Sequence, residues 1–140
     1  MLAKIIPVKK LPYRLAYFDY LVPEELKNQI QIGQLVIIPF RQSNIYGIVF
    51  ELEEKKFETN LKTIETIVHN EPILNQQNLE FLNHFSQMYG ISNGHTAKLI
   101  MPPLQKRKLK KIEFKKNSLV KKNKPTKPEY YIYSDQKEFE

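Results

Sequence analysis

Phe18, Asp19 and Tyr20 set one carboxylate between two aromatic rings, in a chain whose formal net charge is +7. A carboxylate only accepts hydrogen bonds and is repelled by phosphate, so attraction to a polyanion does not account for it. If the stretch FDYLVPEEL begins as a regular strand, alternation puts both rings on the face opposite Asp19. At least one ring is then expected in the core, because aromatic residues in strands fill interiors. Asp19 also has a plainer reading, as a strand-end or turn acid satisfied by local N–H groups.

Other residue types able to do chemistry do not assemble into a reactive group. Gly33, Gly47, Gly90 and Gly94 form no G-x-x-x-x-G-K-[ST] loop to wrap phosphates, so the chain is expected to hydrolyse no nucleotide unaided. His69, His84 and His95 lie fifteen and eleven residues apart, not at the helical separation metal ligands use, and no serine has a recognisable base. Glu24-Glu25 and Glu53-Glu54 are adjacent pairs whose side chains point apart, which suits solvated turn charge better than paired acid/base work. With no cysteine, disulfides and thiolate metal sites are excluded. These absences leave a binding module with no cofactor of its own.

The elements that must position Asp19 follow from hydrophobic periodicity. Short apolar or β-branched runs over residues 3–8, 17–22, 34–40, 44–53 and 61–68 predict five strands, with Gly47 marking a bulge or a close backbone approach in the fourth. After Pro72 the period changes. Asn75 is a good N-cap, Leu79, Leu82, Phe85 and Met88 or Tyr89 recur at helical spacing, and Gly90 supplies a stop. That stripe is expected to be core. A second short helix over 94–101 ends at Pro102-Pro103. The pattern predicts an α+β domain in which a small curled, barrel-like sheet of about five strands is closed by a C-terminal helix.

Charge divides the chain. Residues 1–104 hold ten Lys/Arg and ten Asp/Glu, whereas residues 105–128 hold eleven Lys/Arg and only Glu113. Such a block is read as a basic linker or an arm that lies along nucleic acid. Residues 129–140 resemble the start of a further unit, so the organisation expected is a domain at 1–104, a linker at 105–128 and a truncated start at 129–140. No apolar run suits a membrane span or a cleavable signal, and a cytoplasmic location without membrane contact is expected.

In order along the chain come FDYLVPEEL, IGQLVIIPF, YGIVFEL, LKTIETIVHNEPIL, a helix ending in MYG, and AKLIMPPL. This order resembles the N-terminal 3′-end-binding domain of primosomal protein N′, the PriA family of bacterial replication-restart helicases, over nearly all of residues 3–104. The resemblance implies a domain that holds the 3′ end of the nascent leading strand at stalled forks. In longer members it implies an ATP-driven 3′-5′ helicase with Mg and zinc sites, absent from this chain, and a following winged-helix domain. By the same resemblance Phe18, Asp19 and Tyr20 match the motif of the terminal-nucleotide pocket, and Lys62 matches a lysine belonging to it. Arg41 stands where the family has glycine, so it either fills that space or supplies a new phosphate ligand.

On this reading Asp19 accepts from a free 3′-hydroxyl and rejects a 3′-phosphate, Phe18 and Tyr20 pack or stack at about 1–3 kcal/mol per base, and Lys62 neutralises the terminal phosphodiester. Tyr13 and Arg14 extend the groove, and Lys106, Arg107, Lys108, Lys110 and Lys111 add phosphate contacts. The partners implied are forked or 3′-ended single-stranded DNA, with primosome and single-strand-binding proteins. Two other functions stay open: a protein-interaction adaptor with a basic tether, and an RNA-binding module.

Overall fold

The computed structural model describes residues 1–54 and 60–101. Within them lie strands β1 (Leu2–Pro7), β2 (Phe18–Leu21), β3 (Leu35–Phe40), β4 (Ser43–Glu53) and β5 (Thr66–Ile67), then helices α1 (Gln76–Tyr89) and α2 (Asn93–Ile100). The strands form one antiparallel sheet in the order β2-β1-β4-β3-β5. This is the α+β architecture expected, with an open rather than a closed sheet. The fifth strand is much shorter than its apolar pattern suggested: only Thr66 and Ile67 join the ladder, opposite Ile37 and Val36. Residues just before them turn to the opposite edge, where the Leu21 N–H donates to the Lys62 carbonyl at 2.9 Å and the Ile64 N–H to the Leu21 carbonyl at 3.0 Å. A segment split between two edges cannot present one long strand to either.

Two apolar clusters occupy the two faces of the sheet. Ala3, Ile5, Val36, Ile38 and Val49 face one side, where Tyr20, Val22, Ile30 and Ile64 complete the packing. Ile6, Leu35 and Ile48 face the other, beneath Leu79, Leu82 and Ala97 of the helices. Central strands covered on both sides read as near-continuous apolar runs, which is why LVII in β3 lacks clean alternation.

Gly47 makes the close approach rather than the bulge. A Cβ there would stand 2.4 Å from Ile5 Cγ2, so only a hydrogen leaves room for Ile5 and Ile38. The bulge lies further along β4: Lys4 pairs with Glu51 and Ile5 with Val49, leaving Phe50 as the extra residue. Phe50 packs on the helix side, its ring 4.6 Å from that of Tyr17.

Asn75 caps α1 by accepting from the Asn78 N–H at 2.8 Å, and Gly90 ends it in the left-handed region at φ 62°. The buried stripe of α1 is Leu79, Leu82 and Ser86, not the apolar series carried through Phe85 and Tyr89. Phe85 is half-buried and Tyr89 is 62% exposed. The reason is α2: Ser86 and Thr96 share a buried hydroxyl contact at 2.7 Å, and a small residue on α1 lets the second helix come close. At 3.6 residues per turn, Phe85 and Tyr89 then fall to the side of that line.

Gln34 is fully buried and ties its own turn to the segment after β5, accepting from the Gln31 N–H at 2.7 Å and donating to the carbonyls of Gln29 and Asn70. Gln34→Leu keeps the volume but strands those backbone groups, and is expected to lower stability by about 1–3 kcal/mol in urea melts. Gly47→Ala is expected to cost about 1–3 kcal/mol through overpacking against Ile5, read as a lower midpoint with unchanged slope.

Candidate functional site

β2 is an edge strand, paired only with β1 among the described elements, in the register Ile5 to Phe18, Lys4 to Asp19 and Ala3 to Tyr20. β5 covers only Val36 and Ile37, so among the described residues the far end of β3 has no ladder partner on that side. Curling of the sheet brings these two unfinished edges together. The Tyr20 hydroxyl donates to the Pro39 carbonyl at 3.1 Å, and the Phe18 ring meets the Phe40 ring edge-on, with centroids 5.4 Å apart. Burial pushes the Tyr20 phenol above its ordinary pKa and keeps it a donor.

Where the edges face each other, an open cleft of about 440 Å³ remains. Phe18, Asp19 and Tyr20 form one wall, Pro39, Phe40 and Arg41 a second, and Asn60, Leu61 and Lys62 a third. Alternation holds at β2: Tyr20 is 4% exposed, Phe18 is half-buried against the first core cluster, and Asp19 is exposed. All three nonetheless border the same cleft, because it opens at the strand's edge rather than over one face.

Asp19 borders the cleft as an exposed carboxylate. Its cross-strand neighbour Lys4 leans to the other side and is held by Glu51 at 2.8 Å and Glu53 at 3.1 Å on β4. Those two carboxylates raise the Lys4 ammonium above the usual lysine range. Among the described residues no cation forms an ion pair with Asp19. Lys62 reaches across the opening, its Nζ donating to the Arg41 carbonyl at 3.3 Å. Arg41 itself is the sole non-glycine residue with positive φ among those described, at 55°. Left-handed backbone is where glycine is favoured. The arginine is therefore tolerated there at some cost in strain.

The structure thus brings Phe18, Asp19, Tyr20, Arg41 and Lys62 around one opening. It does not bring Tyr13 or Arg14 into it: both are exposed on the loop after β1, and from that loop Leu15 lines the cleft. Lys106, Arg107, Lys108, Lys110 and Lys111, and the boundary at residue 104, lie outside the described residues. The walls contributed by Leu15, Pro39 and Phe40 were missed, although Phe40 closes an apolar run directly before Arg41. His69 settles into a local turn, its Nδ1 accepting from the Glu71 N–H at 3.1 Å. Among the described residues no group of three His, Asp or Glu stands close enough to hold a metal ion, and no helix is long and apolar enough to cross a membrane.

The profile of the PriA 3′DNA-binding domain (3′BD) matches residues 5–102. The chain is 37% identical over 102 residues to the replication restart protein PriA of Rickettsia conorii, a match covering 72% of this chain and 15% of the relative. The corresponding protein of Rickettsia felis is 37% identical over 84 residues, 60% of this chain and 13% of the relative. That of Rickettsia prowazekii is 35% identical over 102 residues, 72% of this chain and 15% of its own length. The chain therefore spans about 15% of the length of such relatives. With the matched profile running from β1 to the end of α2 and enclosing the whole cleft, the chain belongs to the PriA 3′DNA-binding domain family.

Proposed function

We propose that the cleft receives the terminal nucleotide at the 3′ end of a DNA strand, and that Asp19 accepts a hydrogen bond from its free hydroxyl. The observation that carries this reading is an exposed carboxylate, without an ion-pair partner among the described residues, bordering a partly apolar opening that Lys62 also lines. A terminal hydroxyl is a donor that matches the acceptor-only group, whereas a terminal phosphate brings two negative groups together. The Phe18–Phe40 pair offers an apolar wall for base or sugar, and the Lys62 ammonium offers charge to the last phosphodiester. Tyr20 is committed to the floor, since its hydroxyl is spent on Pro39.

Recognition of this kind reads an end rather than a sequence. In a protein of the relatives' length it would direct a replication-restart helicase to abandoned forks, where primosome and single-strand-binding proteins act. The basic residues 105–128 add affinity through phosphate contacts that do not depend on the end.

Asp19→Ala is expected to reduce the preference for hydroxyl-ended over 3′-phosphorylated oligonucleotides by about 10- to 100-fold, the value of a charge-assisted hydrogen bond. Fluorescence anisotropy with the two oligonucleotides measures this, and equal affinity of the unaltered protein for both ends would refute end recognition. Removal of residues 105–140 should do the converse: the fall of affinity with salt becomes shallower by about 0.7 in log-log slope per lost single-strand phosphate contact, while the end preference survives.

A further inference from the structure

Beside the proposed terminal-nucleotide cleft, two cations converge on one aromatic ring without a counter-ion. The Lys9 Nζ lies 5.4 Å and the Arg41 Cζ 5.8 Å from the centroid of the Phe40 ring. Both distances are within the range in which a ring's quadrupole attracts a cation. Among the described residues neither cation forms an ion pair. Phe40 is 7% exposed and fixed by its edge-on contact with Phe18, so it acts as a rigid post from which the two long side chains are held. Arg41 takes this position from left-handed backbone at φ 55°. Strain kept at the rim of a cleft is a reason to look for function there. Lys62 approaches the same residue from the far wall, through the Arg41 carbonyl, so Arg41 and Lys62 border the cleft while Lys9 stands beside them on the Phe40 ring.

We propose that Lys9 and Arg41 form a two-cation clamp for the phosphodiester backbone immediately 5′ of the terminal nucleotide, with the strand leaving the cleft across the Phe40 edge. The inference rests on the cleft being the site of the strand's end. Like charges gathered on this exposed rim repel one another, and a phosphate bound between them relieves that repulsion. Arg41 supplies a planar fork able to take two phosphate oxygens, and Lys9 a point charge beside it. The clamp fixes the direction in which the strand runs, whereas Asp19 reads its tip. It also assigns work to a residue whose backbone conformation would suit glycine better.

The test uses the full 140-residue chain, a hydroxyl-ended single-stranded oligonucleotide, and anisotropy titrations over a range of salt. Arg41→Gly and Lys9→Gln are each expected to weaken binding about 3- to 10-fold at low salt and to reduce the log-log salt slope by about 0.7, the value for one single-strand phosphate. Arg41→Lys should recover most of the slope. Thermal melts of Arg41→Gly should show an unchanged or higher midpoint, since glycine relieves the left-handed backbone and leaves the carbonyl that Lys62 holds. Better folding combined with weaker binding is a result that a purely structural arginine would not produce. A Lys9→Gln/Arg41→Gly double variant with unaltered affinity and slope would overturn the clamp. Loss of the hydroxyl preference in the unaltered protein, by contrast, would overturn the end-binding reading on which it rests.

Discussion

The site exists because a five-stranded sheet curls without closing. β2 and the end of β3 are edges that approach each other but do not pair, and the chain spans the gap with one segment that bonds to both sides. Leu21 exchanges backbone hydrogen bonds with Lys62 and Ile64, and two residues later the same segment joins β3. Complete pairing would have buried these edges in a barrel wall. Incomplete pairing leaves a cleft floored by Tyr20 and rimmed by whatever the strand ends carry, with the first core cluster backing its wall at Phe18 and Tyr20.

Within that frame, the character of the opening depends on where nearby charges are spent. Lys4 sits opposite Asp19 in the ladder and could have neutralised it, yet two carboxylates on β4 hold the ammonium on the other side. Among the described residues this leaves Asp19 with no ion-pair partner. These partly exposed ion pairs contribute little to stability by themselves. Their effect is to keep an acceptor open in the cleft. The cations of the rim follow a different rule: Lys9 and Arg41 are placed by the Phe40 ring, and Lys62 by a backbone carbonyl, so their charges remain available.

Packing around the site relies on a few positions where size or polarity is fixed by neighbours. Gly33, at φ 84°, accepts at its carbonyl from the Ile73 and Leu74 N–H groups, and a Cβ there would collide with the Leu74 carbonyl. Ser86 and Thr96 join the helices with a hydroxyl contact in place of a larger apolar pair. Such positions transmit no charge to the cleft, but they set how tightly the helix layer lies on β1 and β4, the strands that carry Lys4 and its partners.

Much of the local structure was legible in the sequence. Short apolar or β-branched runs located four strands to within a residue or so, and Asn75 and Gly90 marked the ends of α1. Alternation correctly separated exposed Asp19 from buried Tyr20. These features depend on neighbours in the chain, whose spacing the sequence states outright. Residues 61–68 were read as one strand although they divide between two edges, and Phe85 and Tyr89 were read as core although α2 takes Ser86 instead. Arg41 drew notice only through resemblance, and Lys9 and Phe40 carried no signal as site residues. Those outcomes depend on which distant segments meet, and the curl of the sheet, the bulge at Phe50 and the approach of α2 decide that through contacts no local pattern encodes.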